Sequence, residues 1–235
     1  MFFYTLKLPR VVSFFTVFLI ILGAILYFNN AIEILQTSGS IEPIYQGNPE
    51  EKHVAFACNV AWGEEILPDL LKILKEKDVK ITFFVEGRWA ESFPKLLKAI
   101  KEDGHEIGNH GYSHRKPVGL SKEENIKEIK KAEEAIYKIT GCKTTLFAPP
   151  YGEFDETTLN AVEDLGYKVI MWTIDTVDWK EPGKNYIINK VMKKLQNGAI
   201  ILMHPKKDTA EALPELIEKL REKEFKITTV TEVIN

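Results

Sequence analysis

Apolar and polar positions alternate along most of this chain in two rhythms. Short runs such as Val54–Cys58, Lys80–Val85, Glu106–Gly108, Thr145–Ala148, Lys168–Trp172, Ala199–Met203 and Lys226–Thr229 have the length and β-branched or aromatic content of strands. Between them, Glu64–Glu76, Phe93–Glu102, Ser121–Ile139, Asp155–Leu165, Tyr186–Leu195 and Ala210–Lys223 repeat apolar residues at helical spacing. Ser121 with Glu124 three residues on predicts a capping box. Gly104, Gly141 and Gly166 sit just past predicted helix ends, where a left-handed residue is wanted. Strands alternating with helices mean βα units around a parallel sheet, as a short barrel or an open doubly wound sheet.

The N-terminus breaks this rhythm. Val11 to Phe28 reads VVSFFTVFLIILGAILYF, uncharged and about long enough to cross a bilayer core. Lys7 and Arg10 precede it, which favours a cytoplasmic tail over residues 1–10 and an extracytoplasmic remainder. A cleaved signal peptide is the competing reading. Because Asn29, Asn30, Ala31 and Ile32 offer no small-x-small site, an uncleaved single-pass anchor at the cell membrane is expected. Residues 29–52 then read as a polar linker, and 53–235 as one domain.

With 31 Lys and Arg against 34 Asp and Glu, the formal charge of -3 gives no reason to expect nucleic-acid binding. No glycine-rich phosphate loop appears. Cys58 and Cys142 have no metal-binding spacing and read as inert, buried thiols rather than a disulfide.

Polar residues and a proline pair cluster at predicted strand ends: Asn59, Asn109-His110, Pro149-Pro150, Asp175 and His204. In barrels the loops after those ends build the active site. The segment NHGYSH places His110 and His114 four apart, close enough for two imidazoles to reach one metal ion. Two histidines, a carboxylate and an open position make a hydrolytic zinc site. His53 and His105 have no such partner and read as structural, while Trp62, Trp89, Trp172 and Trp179 default to core. Asp175 and Asp178 both suit turns in TIDTVDW.

The segments FACNVAWGEE, ITFFVEGRWAESFP, DGHEIGNHGYSH, LFAPPYGEFD, MWTIDTVDW and AIILMHP, in this order, resemble the polysaccharide deacetylase (NodB homology) family, in particular its membrane-anchored, sporulation-linked, PdaB-like branch. The resemblance covers about residues 53 to 235. It implies a distorted (β/α) barrel of about seven strands that removes acetyl groups from cell-wall or spore-cortex glycan with a divalent metal such as zinc. It makes His110 and His114 the metal ligands and His204 the general acid. Pro149, Pro150, Tyr151 and Gly152 become a groove wall, with Trp172, Asp175 and Trp179 beside the substrate. An acid near neutral pKa suits protonation of the departing sugar nitrogen, and Asp175 could hold that imidazole in its tautomer.

Two positions depart from the family pattern. Its first motif has two adjacent aspartates, a general base and a metal ligand, where this chain has Asn59 and Val60. Its third motif has an arginine that pairs with the base, where this chain has Ala148. Losing both partners removes a charge pair without stranding either member. Glu64 and Glu65 follow the first strand and could supply a carboxylate, although acids in a first helical turn also favour the macrodipole. The expected function is a metal-dependent deacetylase-like hydrolase with Asn59 in place of the base. The alternatives are an inactive glycan-binding pseudoenzyme or a hydrolase of another C–N bond.

Overall fold

The computed structural model describes residues 18–27 and 41–235, which form two separate compact units. Residues 18–27 form a helix, α1. No helix among the described residues is long and apolar enough to cross a membrane. The tail, the rest of the expected anchor and residues 29–40 of the expected linker lie outside the described residues.

From Ile41 onward the chain is a parallel α/β domain. Its strands are β1 (His53–Val60), β2 (Thr82–Val85), β3 (Glu106–Asn109), β4 (Leu146–Phe147), β5 (Lys168–Val169), β6 (Ile174–Asp175), β7 (Ala199–Met203) and β8 (Lys226–Thr228). Helices α2 (Leu67–Glu76), α3 (Gly87–Ser92), α4 (Pro94–Glu102), α5 (Lys122–Thr140), α6 (Glu156–Asp164), α7 (Lys184–Lys194), α8 (Lys207–Glu222) and α9 (Val230–Ile234) fall between or after them. The sheet order is β5-β4-β3-β2-β1-β7-β6. β8 pairs with His53–Ala55 of β1, below the point where β2 begins at Ala57.

The two edge strands, β5 and β6, are consecutive in the chain and joined by only four residues. Five residue steps reach at most about 17 Å, so the sheet is rolled until its edges nearly meet. The seam is filled by residues 44–46: Ile44 bridges Ile170, and Gln46 bridges Ala199 at the foot of β7. The Ile44 amide donates to the Val169 carbonyl at 2.8 Å, and the Met171 amide donates to the Ile44 carbonyl at 2.8 Å. This is the distorted barrel, with the stretch from Ile41 built into its wall although its composition reads as linker.

β1 shows how the wall sorts its side chains. Val54, Phe56, Cys58 and Val60 join the large core beneath the helices, while Ala55 and Ala57 join the inner core with Phe84, Ala148 and Ile200. The alternation of a strand therefore turns Asn59 inward and Val60 outward. β1 contributes only small side chains to this lining, which leaves room for Phe84, whose ring lies where a Cβ on Gly108 would sit. α9 stops the lower end: Val230 and Val233 enter the inner core, and the Val230 amide donates to Thr82 Oγ1 at 2.7 Å.

Most long elements match the expectation, β7 with the same bounds. The capping box at Ser121 is present, and Gly104, Gly141 and Gly166 are left-handed. β6, α3 and α9 were not expected. Each is at most six residues long, too short for periodicity to declare itself.

Candidate functional site

Strand ends β1, β3, β4, β6 and β7 open on one cleft of about 490 Å³. Asn59 enters it from the end of β1, 5% exposed, and its Oδ1 is buried with no hydrogen-bond partner. His110 and His114 arrive on the loop after β3. That loop is held by its own polar residues: buried Asn109 accepts from the Gly111 amide (2.9 Å) and donates to the Ile129 carbonyl (2.8 Å). The Ser113 amide and hydroxyl both donate to Glu128 of α5 at 2.8 Å. With α5 as its splint, the loop sets the two imidazoles with ring centroids 5.0 Å apart.

His110 is buried, and its Nδ1 lies 2.8 Å from the Ala148 carbonyl, which can only accept. Nδ1 therefore carries the proton and Nε2 presents a lone pair. Burial, with His114 beside it, lowers its pKa to about 3, so the ring is neutral. Burial and the nearby His204 also lower that of His114. An imidazole tied through one nitrogen to a carbonyl is the usual setting of a metal ligand. Yet no third His, Cys, Asp or Glu among the described residues joins the pair. Catalytic zinc takes three protein ligands, and Val60, at the family's carboxylate position, faces the helices. The donor set falls short of a catalytic metal centre.

On the other side of the cleft His204 is fixed by a carboxylate, and that carboxylate is Asp178 rather than Asp175. Asp178 is fully buried. Its Oδ1 lies 2.8 Å from His204 Nδ1, and its Oδ2 accepts from the His204 amide (2.6 Å) and from Thr209 Oγ1 (2.7 Å). Asp175 lines the cleft, but its Oδ1 accepts from the Val177 amide at 2.7 Å, closing a tight turn. Val177 has φ +59°, a left-handed conformation that is strained for a β-branched residue. This turn swings Asp178 beneath the imidazole. Such strain is typical of functional sites.

Half of the expected groove wall is present: Tyr151 and Gly152 line the cleft, whereas Pro149 and Pro150 are buried and are not among its lining residues. Tyr151 is left-handed (φ +61°) and meets the His114 ring edge-on at 4.7 Å. Gly152, with φ +67°, leaves room for the Trp172 ring, 2.5 Å from where a Cβ would stand. Trp172 and Trp179 are on the cleft, and so is Trp62, for which core was the default. Trp89 is core. Glu64 and Glu65 precede α2 and are not among the cleft residues. Cys58 and Cys142 are free thiols, and only Cys58 is buried.

Sequence reasoning left Asp178 undecided, read Trp62 as core, and passed over Thr209 and Glu153, the last of which also lines the cleft. Only their three-dimensional neighbours mark them out.

A family model described as polysaccharide deacetylase matches residues 46–170. The uncharacterized YlxY protein of Bacillus subtilis is 42% identical over 194 residues, which cover 83% of this chain and 61% of YlxY. The chain thus spans about three fifths of that relative. The peptidoglycan-N-acetylmuramic acid deacetylase PdaA of the same species is 32% identical over 198 residues, 82% of this chain and 75% of PdaA. The crystal structure of BA3943, a CE4-family pseudoenzyme of Bacillus anthracis, superposes with a TM-score of 0.82 at 42% identity, covering 85% of this chain and 71% of that one. A BA3943 mutant with restored enzymatic activity superposes with the same TM-score at 40% identity, covering 85% and 73%.

Proposed function

The chain belongs to the polysaccharide deacetylase family, and on that premise we propose that its cleft binds N-acetylated cell-wall glycan without hydrolysing it. The observation that carries this reading is Asn59, a buried amide at the position of the family's base. Hydrolysis of an acetamide needs water oxygen to attack the acetyl carbon, the C–N bond to break, and two proton movements. One proton leaves the water and one reaches the amine. His204, held through Nδ1, has Nε2 left for the amine. Nothing at Asn59 takes the proton from water, because a carboxamide is not a base at neutral pH. General base catalysis is worth about 10²–10⁴-fold, which sets the scale of the deficit.

The rest of the cleft suits a sugar chain. Trp172, Trp179 and Tyr151 offer ring faces for the apolar faces of pyranoses, and PdaA, by its name, acts on peptidoglycan. Zinc, which the resemblance implies, would find only His110 and His114 here among the His, Cys, Asp and Glu side chains of the described residues, so this reading assigns it no chemistry. The apolar run from Val11 to Phe28 supports an extracytoplasmic placement on a membrane anchor. A second reading, a slow deacetylase, is favoured by one observation: the His204–Asp178–Thr209 arrangement is complete.

Binding to insoluble N-acetylated peptidoglycan and release of acetate from it, each with and without added zinc, separate the readings. The first expects binding without acetate, and acetate only after Asn59→Asp with Ala148→Arg, a change motivated by the restored BA3943 mutant. Acetate released by the unaltered chain would overturn it in favour of the second. Absence of binding would sink both.

A further inference from the structure

Trp62 lies on the loop after β1, and its indole stacks on the His204 imidazole with ring centroids 5.2 Å apart and planes 16° from parallel. The hydrogen bond from Nδ1 to Asp178 fixes one edge of the imidazole. One such bond restrains the imidazole without locking its tilt, because the second torsion of His is broad. A nearly parallel, stacked aromatic partner removes that remaining freedom, so Asp178 sets the position of the ring and Trp62 sets its plane.

Trp62 is itself well held. β1 and β7 are hydrogen-bonded neighbours, with Cys58 opposite Met203, so their outgoing loops run side by side. Gly63, at φ +87°, approaches Pro205 so closely that a Cβ would overlap the Pro205 carbonyl. Lys206 places its ammonium 4.8 Å from the Trp62 ring centroid and is tied at 2.9 Å to Glu181, three residues after Asp178. The loops after β1, β6 and β7 thereby clasp one another around His204.

We infer that Trp62 is a positioning residue for His204, fixing the imidazole plane so that Nε2 faces a ligand in the cleft. The kinetic part of its test rests on the functional reading above, and the spectroscopic part does not. In the full chain, kept in detergent and carrying ¹³C-labelled histidine, a nuclear Overhauser contact between the indole and the His204 ring is expected. An upfield ring-current shift of His204 Hε1 should accompany it and be lost in Trp62→Leu. In the Asn59→Asp, Ala148→Arg background, Trp62→Leu should lower kcat on the order of 10²-fold, the usual penalty of an ångström-scale misplacement. KM should stay within about twofold, and Trp62→Phe, which can still stack, should recover most of the loss. No Overhauser contact, or a His204 shift indifferent to Trp62→Leu, overturns the inference. So does a change in KM alone, which would make Trp62 a sugar platform. If the double substitution releases no acetate, the functional reading is at fault, and the two spectroscopic observations alone decide.

Discussion

Asp175 and Asp178 stand three residues apart in one turn, and their replacement by alanine separates their roles. Asp178→Ala removes a fully buried carboxylate that accepts from the His204 amide, the His204 ring and the Thr209 hydroxyl. Hydrogen bonds to a charged group are worth about 1.5–3 kcal/mol each, or roughly 4.5–9 kcal/mol for three. Relief of the carboxylate's own desolvation offsets several kcal/mol of this, and breaking a buried pair by deleting one partner typically costs about 3–5 kcal/mol. Asp175→Ala removes one backbone-amide bond to a partly exposed carboxylate, which solvent reduces to about 1 kcal/mol. For a domain of this size each kcal/mol moves Tm by about 2–4 °C. Asp178→Ala is therefore expected to lower Tm by roughly 6–20 °C and Asp175→Ala by about 2–4 °C. Thermal unfolding followed by circular dichroism measures both. An Asp175→Ala loss equal to or larger than that of Asp178→Ala would refute the assignment of the buried carboxylate to His204.

Four further outcomes are expected. Gly152→Ala puts a Cβ against Trp172 in a left-handed position and should weaken glycan binding in a sedimentation assay, besides costing about 1–3 kcal/mol of stability. Gly166→Ala, left-handed but with open space around it, should cost stability and leave binding unchanged. His105 is held neutral by burial and by the Lys80 charge, its pKa lowered to about 4, so between the ordinary value near 6.5 and about 4 the unfolded chain binds a proton that the folded one does not. Stability should fall as pH drops through that window, by at most about 1.4 kcal/mol per pH unit from this ring. His105→Gln should flatten the slope of urea midpoints against pH. Burial, with Asp178 adding to it, raises the Cys58 thiol pKa, so a thiol reagent should label Cys142 promptly and Cys58 only on unfolding.

Much of the barrel was legible because its longer elements carry their own periodicity. α5 shows its capping box, its left-handed Gly141 and its buried stripe in the residue order itself. β6 does not, because two residues become a strand only by pairing with Ile201 and Leu202 of β7. Ile44 and Gln46 sit in a polar stretch, and their place in the wall comes from partners more than a hundred residues away. In the site, NHGYSH announced its histidines, yet Asn109 and Ser113 in the same hexapeptide hold the loop to α5. The choice between Asp175 and Asp178 was closed to sequence reasoning for a specific reason. It turns on Val177 adopting a left-handed conformation that β-branched residues avoid.

The two halves of the cleft differ in what their removal does to folding, and this limits what the surviving half says about catalysis. In the family pattern that this chain resembles, a base at position 59 and an arginine at position 148 would pair, so Asn59 and Ala148 together leave no unpaired charge in an inner lining that is otherwise apolar. Asp178 cannot be lost in the same way. Its carboxylate answers a backbone amide and a hydroxyl as well as the His204 ring, and those donors stay buried after it is gone. Selection for a folded domain alone would retain Asp178 with Thr209, and His204 with them, after turnover had ceased. The His204–Asp178–Thr209 arrangement is thus as much a property of the fold as of any reaction. Whether the cleft hydrolyses its ligand is decided at Asn59, where no structural demand holds a carboxylate in place.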